Sequence, residues 1–237
     1  MSPKKVIITR PLHDAVPLAE QIEQKGGVPF VEPLVHIQPI NTKIPDLSKY
    51  RALVFTSANG VRCFTGQSDV RALPVYTAGR DTARVAIEYG FDKINCADGG
   101  AAGIEKMMAD DEILAGTDGT VLHLSGADIA REIAVPGIEV ERLALYKAVL
   151  ADRISDRMVE LMMAGEAAHI MFFSARTAQA FVDLLHADGR TDAVKPIKAL
   201  CISDSVVKCV RDLPWQDVQA ADRPDGRGMI ALWERSL

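Results

Sequence analysis

Small polar residues and glycines follow several short apolar runs, at positions suited to holding an anion. Ser57 and Ser174 each end an apolar run and precede a stretch of helical periodicity. Glycine-containing turns at Gly79, at Gly100 and at residues 125–127 also follow apolar runs. Backbone N–H groups in such turns point at a ligand, with the positive end of a helix dipole behind them. The pattern therefore predicts anion-binding turns, although Ser57 and Ser174 could also serve only as helix N-caps.

Arg10 and Tyr146 are the side chains with the clearest chemical potential. Arg10 follows the first apolar run, where its guanidinium fork suits a carboxylate or a phosphate. A surface ion pair is the alternative role for Arg10. Tyr146 lies in the segment LALYKAV, and a phenol that is protonated at neutral pH can donate a proton to a departing hydroxyl group. An amphipathic residue of a hinge is the alternative for Tyr146.

Motifs of nucleotide, covalent and metal chemistry are missing from the sequence. The chain contains neither the GxGxxG fingerprint, nor the P-loop pattern, nor the GxSxG elbow. Its 5 histidines lack the HxxxH and HExxH spacings, and its 4 cysteines lack the CxxC spacing. The sequence therefore predicts no metal site and reduced cysteines.

Charge and hydropathy restrict the partners and the compartment. The 27 Lys and Arg against 32 Asp and Glu give a net charge of -5, which argues against nucleic acid or an anionic membrane as a partner. The longest apolar stretch, residues 167–173, is too short for a membrane span, and the first residues do not resemble a signal peptide. We therefore expect a cytoplasmic protein.

Apolar runs alternate with amphipathic stretches along most of the chain, which is typical of a parallel α/β sheet. The predicted strands cover residues 6–9, 28–35, 53–56, 75–78, 93–97, 121–124, 170–173, 199–202 and 218–221. This is more than one compact doubly wound sheet usually needs, so the sequence favours two lobes.

An internal repeat supports the division into two lobes. The segment LVFTSANGVRCF from Leu53 matches IMFFSARTAQAF from Ile170. The segments that follow correspond in type, in the same order, at offsets of about 117 to 125 residues. Three correspondences in order indicate duplication of a flavodoxin-like half.

Two extended segments are predicted to connect the lobes. The proline-rich residues 30–46 cannot form the interior of a sheet, and the alternating residues 140–151 could run antiparallel beside them. We expect a discontinuous first lobe of residues 1–38 plus 150–237, a second lobe of residues 46–142, and hinge segments at 39–45 and 143–149. The expected fold class is α/β, with two flavodoxin-like or Rossmann-like lobes, parallel sheets and a two-stranded extended hinge.

The order of the motifs resembles the uroporphyrinogen-III synthase family. The segments that carry the resemblance are ITRP from Ile8, LVFTSANGVRCF, YTAGRDTARVA, VERLALYKAV, IMFFSARTAQAF and CISDSVVKCV. They extend over nearly the whole chain. No single motif is specific, and the specificity lies in their order and in the discontinuous first lobe.

The resemblance implies a cofactor-free lyase of tetrapyrrole and haem biosynthesis. Such an enzyme cyclises hydroxymethylbilane, a linear tetrapyrrole rich in carboxylates, to uroporphyrinogen III with loss of water. Ring D is inverted through an azafulvene and a spiro intermediate, whereas spontaneous closure gives the other isomer. The enzyme must therefore hold one conformer and help the hydroxyl group leave. We expect a monomer, and leave open a transient contact with the preceding enzyme of the pathway.

The residues and the resemblance together predict the site. Tyr146 would assist departure of the hydroxyl group. The predicted substrate-binding residues are Arg10, Ser57, Ala58, Asn59, Gly79, Thr82, Gly100, Ser125, Ser174, Ser203 and Ser205. The Gly-x-x-Thr-Ala turn of the family is present at Gly79, but its counterpart in lobe one has Val206 and Val207 in place of Thr-Ala, with Ser205 as another source of a hydroxyl.

Two other functions are compatible with the same pattern. A two-lobed protein could bind an anionic small molecule without turnover, because hinge closure suits binding as well as catalysis. A flavodoxin-like protein that binds FMN is the second alternative.

Overall fold

The computed structural model describes residues 4–116 and 118–237, over which strands and helices alternate. The strands are β1 (Lys5–Ile8), β2 (Val28–Val31), β3 (Val35–Pro39), β4 (Tyr50–Phe55), β5 (Val75–Thr77), β6 (Ile94–Cys96), β7 (Thr120–Gly126), β8 (Val140–Leu150), β9 (Ala167–Phe172), β10 (Lys198–Cys201) and β11 (Asp217–Ala220). The helices are α1 (Leu12–Gln24), α2 (Ala58–Thr65), α3 (Arg80–Glu88), α4 (Gly100–Ala109), α5 (Glu112–Ala115), α6 (Asp156–Met163), α7 (Ala175–Ala187), α8 (Asp204–Val210) and α9 (Gly226–Arg235). Short 3₁₀ turns lie at Leu47–Lys49 and Thr191–Val194.

The chain divides into two compact units. Unit 1 combines the chain up to His36 with Val149–Leu237, and unit 2 is Ile37–Ala148. The chain passes from unit 1 to unit 2 within β3 and returns within β8. Unit 1 is therefore discontinuous in sequence. Over the described ranges, no helix combines the length and apolar character needed to cross a membrane.

Unit 1 contains a five-stranded sheet in the order β11-β10-β9-β1-β2, and all its neighbouring strands are parallel. Ile7 and Ile170 lie in a core with residues of α6, α7 and α8. Val6 and Ile8 point to the other face and lie in a core with residues of α1 and α9. Both faces of the sheet are thus buried, which explains why its strands are continuous apolar runs rather than alternating ones.

Unit 2 contains a six-stranded sheet in the order β3-β8-β7-β4-β5-β6. Strands β8, β7, β4, β5 and β6 are parallel. The bonds from Ile40 N to Leu145 O and from Ala151 N to Leu34 O make the β3–β8 pair antiparallel. Residues of α2 and α3 cover one face of this sheet, and residues of α4 and α5 cover the other. The proline-rich segment and the alternating segment, which the sequence predicted as connections between the lobes, therefore contain β3 and β8, and these two strands pair with each other.

The strand registers support the internal repeat. In unit 1, the register of β1 on β9 shifts between the partners Ala167 and His169. In unit 2, the register of β7 on β4 shifts between the partners Tyr50 and Ala52. The repeat places Tyr50 opposite Ala167 and Ala52 opposite His169 in the alignment of the two units. The same irregularity thus occurs at equivalent residues of the two units.

A close backbone approach is also repeated. A Cβ atom on Gly103 in α4 would overlap the carbonyl oxygen of Asp98, and one on Gly228 in α9 would overlap that of Arg223. Each glycine lies five positions after the carbonyl that it contacts. Glycine is required at both positions because the preceding loop passes directly over the first turn of the helix.

Two local expectations were wrong. Residues 28–35 form two strands in different sheets rather than one, because Pro33, which has no N–H to donate, lies between Val31 and Val35. No helix follows Gly126 at the end of β7. The chain instead forms a turn closed by a bridge between Val135 and Ile138, and β8 follows.

Candidate active site

The carboxyl ends of β1, β9 and β10 bring predicted binding residues to one edge of the sheet in unit 1. Arg10 follows β1, Ser174 follows β9 and Ser203 follows β10. The Oγ atom of Ser174 accepts a hydrogen bond from the backbone N–H of Thr177 at 3.1 Å, so Ser174 is the N-cap of α7. The Oγ atoms of Ser203 and Ser205 lie 2.8 Å apart, and α8 begins without a side-chain cap.

Arg10 is held at this edge by two contacts. Its guanidinium carbon lies 4.6 Å from the centroid of the Phe173 ring, and its Nη2 atom lies 3.4 Å from Oδ2 of Asp14. The Nε atom of Arg10 is buried without a hydrogen-bond partner within residues 4–116 and 118–237. A cation over an aromatic ring at this distance is attracted to the face of the ring. The ion pair that was the alternative role of Arg10 is therefore present.

The edge of unit 2 begins with the turn into α2. Ser57 is the N-cap of α2, and its Oγ atom accepts a hydrogen bond from the backbone N–H of Asn59 at 3.2 Å. Ala58 is the first residue of the helix. The side chain of Asn59 points to its own helix, since its Oδ1 atom accepts a hydrogen bond from Nη1 of Arg62 at 3.0 Å. Capping is thus one role of Ser57, as the sequence allowed.

Helices α3 and α4 begin at the same edge without side-chain caps. The residue before α3 is Gly79, and Thr82 in its first turn is buried. Gly99 and Gly100 at the start of α4 have left-handed φ angles of 87° and 70°, which strain any residue with a Cβ atom. The first N–H groups of a helix have no partner inside the helix. These two helix starts therefore offer N–H groups to an anion.

Ser125 is buried at the end of β7 and takes part in a polar network with Arg142. Its hydroxyl group donates to the carbonyl oxygen of Gly126 at 2.9 Å and accepts from Nη1 of Arg142 at 3.2 Å. Arg142 also donates to the carbonyl oxygen of Gly126 at 3.1 Å, and its Nε atom lies 3.2 Å from Oε1 of Glu132. The network fastens the end of β7 to β8.

Tyr146 lies at the same strand end, opposite Gly126. Its side chain is buried, with 9% of the residue exposed. A Cβ atom on Gly126 would lie 3.0 Å from Cε2 and Cζ of the ring and 3.3 Å from the hydroxyl oxygen. The phenol therefore packs directly on the backbone of Gly126, which fixes its position.

His123 and Thr56 form a further polar contact that the sequence did not single out. The Nε2 atom of His123 in β7 lies 3.2 Å from the hydroxyl oxygen of Thr56, directly after β4. Burial, and secondly the charge of Arg142, lowers the pKa of His123 from 6.5 to about 4. A histidine inside the apolar run VLHL is the signal that was available in the sequence.

Comparison with known proteins decides the family. The sequence model of the family described as uroporphyrinogen-III synthase HemD matches residues 16–231. The chain belongs to this family. A protein from Ruminiclostridium josui named porphyrin biosynthesis protein HemD is 24% identical over 230 residues, which are 87% of this chain and 44% of that protein. A uroporphyrinogen-III synthase from Chlorobaculum parvum is 27% identical over 213 residues, which are 81% of this chain and 83% of that protein. The chain thus spans less than half the length of the Ruminiclostridium josui relative.

A solved structure has the same fold. A mutant uroporphyrinogen III synthase from Thermus thermophilus superposes with a TM-score of 0.54 over 98% of both chains, at 16% identity. The expected fold class, with parallel sheets and a discontinuous first unit, is confirmed. Membership of the uroporphyrinogen-III synthase family also confirms the expected enzyme class, a lyase of porphyrin biosynthesis.

Within the uroporphyrinogen-III synthase fold, the predicted site residues fall into one set on each sheet. Unit 1 holds Arg10, Ser174, Ser203 and Ser205, and unit 2 holds Ser57, Ala58, Asn59, Gly79, Thr82, Gly100, Ser125 and Tyr146. Their roles in binding and catalysis stay predictions. In the ranges 4–116 and 118–237, no group of three or more His, Cys, Asp or Glu side chains is arranged to hold a metal ion.

Proposed function

We propose that this chain cyclises hydroxymethylbilane to uroporphyrinogen III, with inversion of ring D and release of water. Family membership supports the reaction. The observation that carries the residue-level proposal is the row of helix starts at the carboxyl edge of the sheet in unit 2, where α3 and α4 lack side-chain caps. Oriented N–H groups can hold the carboxylates of a linear tetrapyrrole although the chain has a net charge of -5.

Arg10 supplements the backbone groups in this proposal. Its guanidinium group lies over the Phe173 ring, a contact that limits the conformational freedom lost when Arg10 binds a carboxylate. Ser57, Ser174, Ser203 and Ser205 add hydroxyl groups at the strand ends. The main task of these residues is to hold one folded conformer of the substrate, because unguided closure gives the uninverted isomer.

Tyr146 is the proposed proton donor. Its hydroxyl group lies over Gly126 at the end of β7, among the strand ends that carry the predicted binding residues. A positioned donor would assist departure of the hydroxyl group and formation of the azafulvene. Attack by the substituted carbon of ring D, a spiro intermediate and reopening would follow as in the family mechanism. Later steps then need positioning rather than further acid catalysis.

The finer expectations about assembly and location are also proposals. We propose that the chain acts as a monomer in the cytoplasm and contacts the preceding enzyme transiently. The chemistry supports such a contact, because hydroxymethylbilane closes spontaneously to the wrong isomer when it is released. Light scattering of the purified protein tests the monomer, and a partner-dependent isomer ratio tests the contact.

The decisive experiment separates catalysis from binding. The purified protein is incubated with freshly prepared hydroxymethylbilane, the products are oxidised, and the porphyrin isomers are separated. Isomer III as the main product is the expected result. Mainly isomer I, as in the reaction without protein, would contradict the proposal, and saturable binding of the substrate together with isomer I would support the alternative of a binding protein without turnover.

A further inference from the structure

Unit 2 contains a buried polar pair that the proposed mechanism does not use. The hydroxyl oxygen of Thr56 and the Nε2 atom of His123 lie 3.2 Å apart. His123 is 1% exposed, and its Nδ1 atom has no hydrogen-bond partner in the described part of the chain. A buried polar atom without a partner is costly, so its retention needs an explanation.

The repeated unit shows that the fold does not require a polar pair at these positions. The repeat aligns Val54 with Met171. His123 pairs with Val54, and Ile8 pairs with Met171, so Ile8 is the residue of unit 1 that is equivalent to His123. The residue equivalent to Thr56 is Phe173. The two positions equivalent to His123 and Thr56 are thus apolar in unit 1. The Thr56–His123 contact is therefore a feature of unit 2 that its repeat in unit 1 does without.

The chemistry of the two groups indicates which of them donates the hydrogen bond. Burial and Arg142 keep His123 neutral near pH 7, so its ring carries one N–H. Buried N–H groups without a partner are rarer than unpaired acceptors. The proton therefore belongs on Nε2, from where it is donated to the hydroxyl oxygen of Thr56. The hydroxyl proton of Thr56 is then directed away from the histidine.

Thr56 lies at the edge of the sheet where a ligand is expected. Thr56 is half-buried and lies between the end of β4 and Ser57, the N-cap of α2. It therefore belongs to the carboxyl edge where ligands bind in open α/β sheets. An oriented hydroxyl donor at this edge suits a carboxylate oxygen.

We propose that Thr56 binds a carboxylate of the substrate and that His123 is its positioning residue. The proposal rests on the proposed function, because the polycarboxylate substrate supplies the acceptor. His123 touches no substrate atom. It acts by orienting the hydroxyl group of Thr56 before the substrate arrives, so the effect belongs to substrate binding and not to the bond-making steps.

Variants of Thr56 test the binding contact. Thr56→Val keeps the shape of the side chain and removes the hydroxyl group, so we expect KM to rise about tenfold and kcat to change less than about threefold. Thr56→Ser keeps the hydroxyl group and serves as the matched control, with KM within about threefold of the wild-type value. An unchanged KM in Thr56→Val, with isomer III still formed by the wild type, would overturn this inference and leave the proposed function intact.

Variants of His123 test the positioning role. His123→Ile introduces the residue of unit 1, and we expect KM to rise as in Thr56→Val. The double variant should show little further increase, because both changes remove one shared interaction. His123→Gln places an amide donor near the position of Nε2 and should restore most of the affinity. A loss of thermal stability in His123→Ile without a change in KM would show a structural role only.

A spectroscopic measurement on the wild-type protein tests the tautomer of His123 directly. Long-range ¹H–¹⁵N correlation spectra distinguish the two neutral tautomers of a histidine ring. We expect a protonated Nε2 for His123 at pH 7, with a Thr56→Val sample to assign the signal. A protonated Nδ1 would reverse the direction of the hydrogen bond and overturn the inference even if the enzyme is active. A wild type that gives mainly isomer I would instead contradict the proposed function itself.

Discussion

Tyr146 is the residue in which position and chemistry are most closely linked. Its phenol lies on Gly126, with 9% of the residue exposed, so its donor atom has little freedom to move. A general acid contributes most when it is fixed at hydrogen-bond distance from the leaving group. The sequence offered a hinge residue as the alternative, and the ring packs in the core of unit 2, so an experiment must separate the two roles.

We expect Tyr146→Phe to lower kcat by at least about tenfold, because the change removes the donor and keeps the ring that packs on Gly126. Binding of uroporphyrinogen III should stay within a few fold. Tyr89→Phe, at an exposed tyrosine after α3, is the control for loss of a phenol. Steady-state kinetics and product titration measure both quantities, and an unchanged kcat would remove Tyr146 from the mechanism.

At the scale of elements, the strand ends of unit 2 show how the fold positions the site. Strand β8 gains one residue relative to β7 between the partners Ala144 and Tyr146, and this irregularity brings Tyr146 opposite Gly126. Arg142 fastens the same region by donating to Ser125 and to the carbonyl oxygen of Gly126. Irregularities of this kind re-aim side chains near functional sites.

We expect Gly126→Ala to disturb the site through packing. The added methyl group would contact the ring of Tyr146 at 3.0 Å, so the free energy of unfolding should fall by about 1 to 3 kcal/mol and kcat should fall with it. Gly66→Ala is the matched control, because its Cβ atom would meet only ordinary contacts of 3.6 Å or more. Denaturant unfolding and kinetics measure the two effects. Equal results for both variants would show that the position of Tyr146 does not depend on Gly126.

Most elements were predictable because their signals are local. Buried parallel strands are apolar runs, and Ser57 and Ser174 mark the starts of the helices that they cap. The missing helix after Gly126 was not predicted, because pairing of the chain with β7 rather than the local pattern decides it. The division of residues 28–35 does have a local signal in Pro33, which the strand prediction did not use. The contact of His123 with Thr56 joins residues 67 positions apart, and no spacing rule reveals such a pair.

At the scale of the whole chain, the two units are similar in register and different in chemistry. Unit 1 follows β1 with the helix α1, whereas unit 2 follows β7 with an irregular segment that supplies Ile133 and Val135 to the core. Arg10 stacked on Phe173 is the prominent side chain of one edge, and the pair of Thr56 with His123 is that of the other. The two sheets thus carry different donors at their carboxyl edges.

Stability against acid should depend on His123. Its pKa is about 4 in the folded chain because of burial and the nearby Arg142, against 6.5 for an ordinary histidine. The unfolded chain therefore binds the proton first as the pH falls below 6.5, and stability is lost progressively down to about pH 4. We expect His123 alone to account for a loss of about 2 kcal/mol in the free energy of unfolding between pH 7.5 and pH 5.

Urea unfolding of the wild type and of His123→Gln at both pH values measures this contribution, with His186→Gln at an exposed histidine as the control. A pH dependence of equal size in the wild type and in His123→Gln would contradict the buried neutral state of His123, whereas a smaller dependence in His123→Gln alone is the expected result.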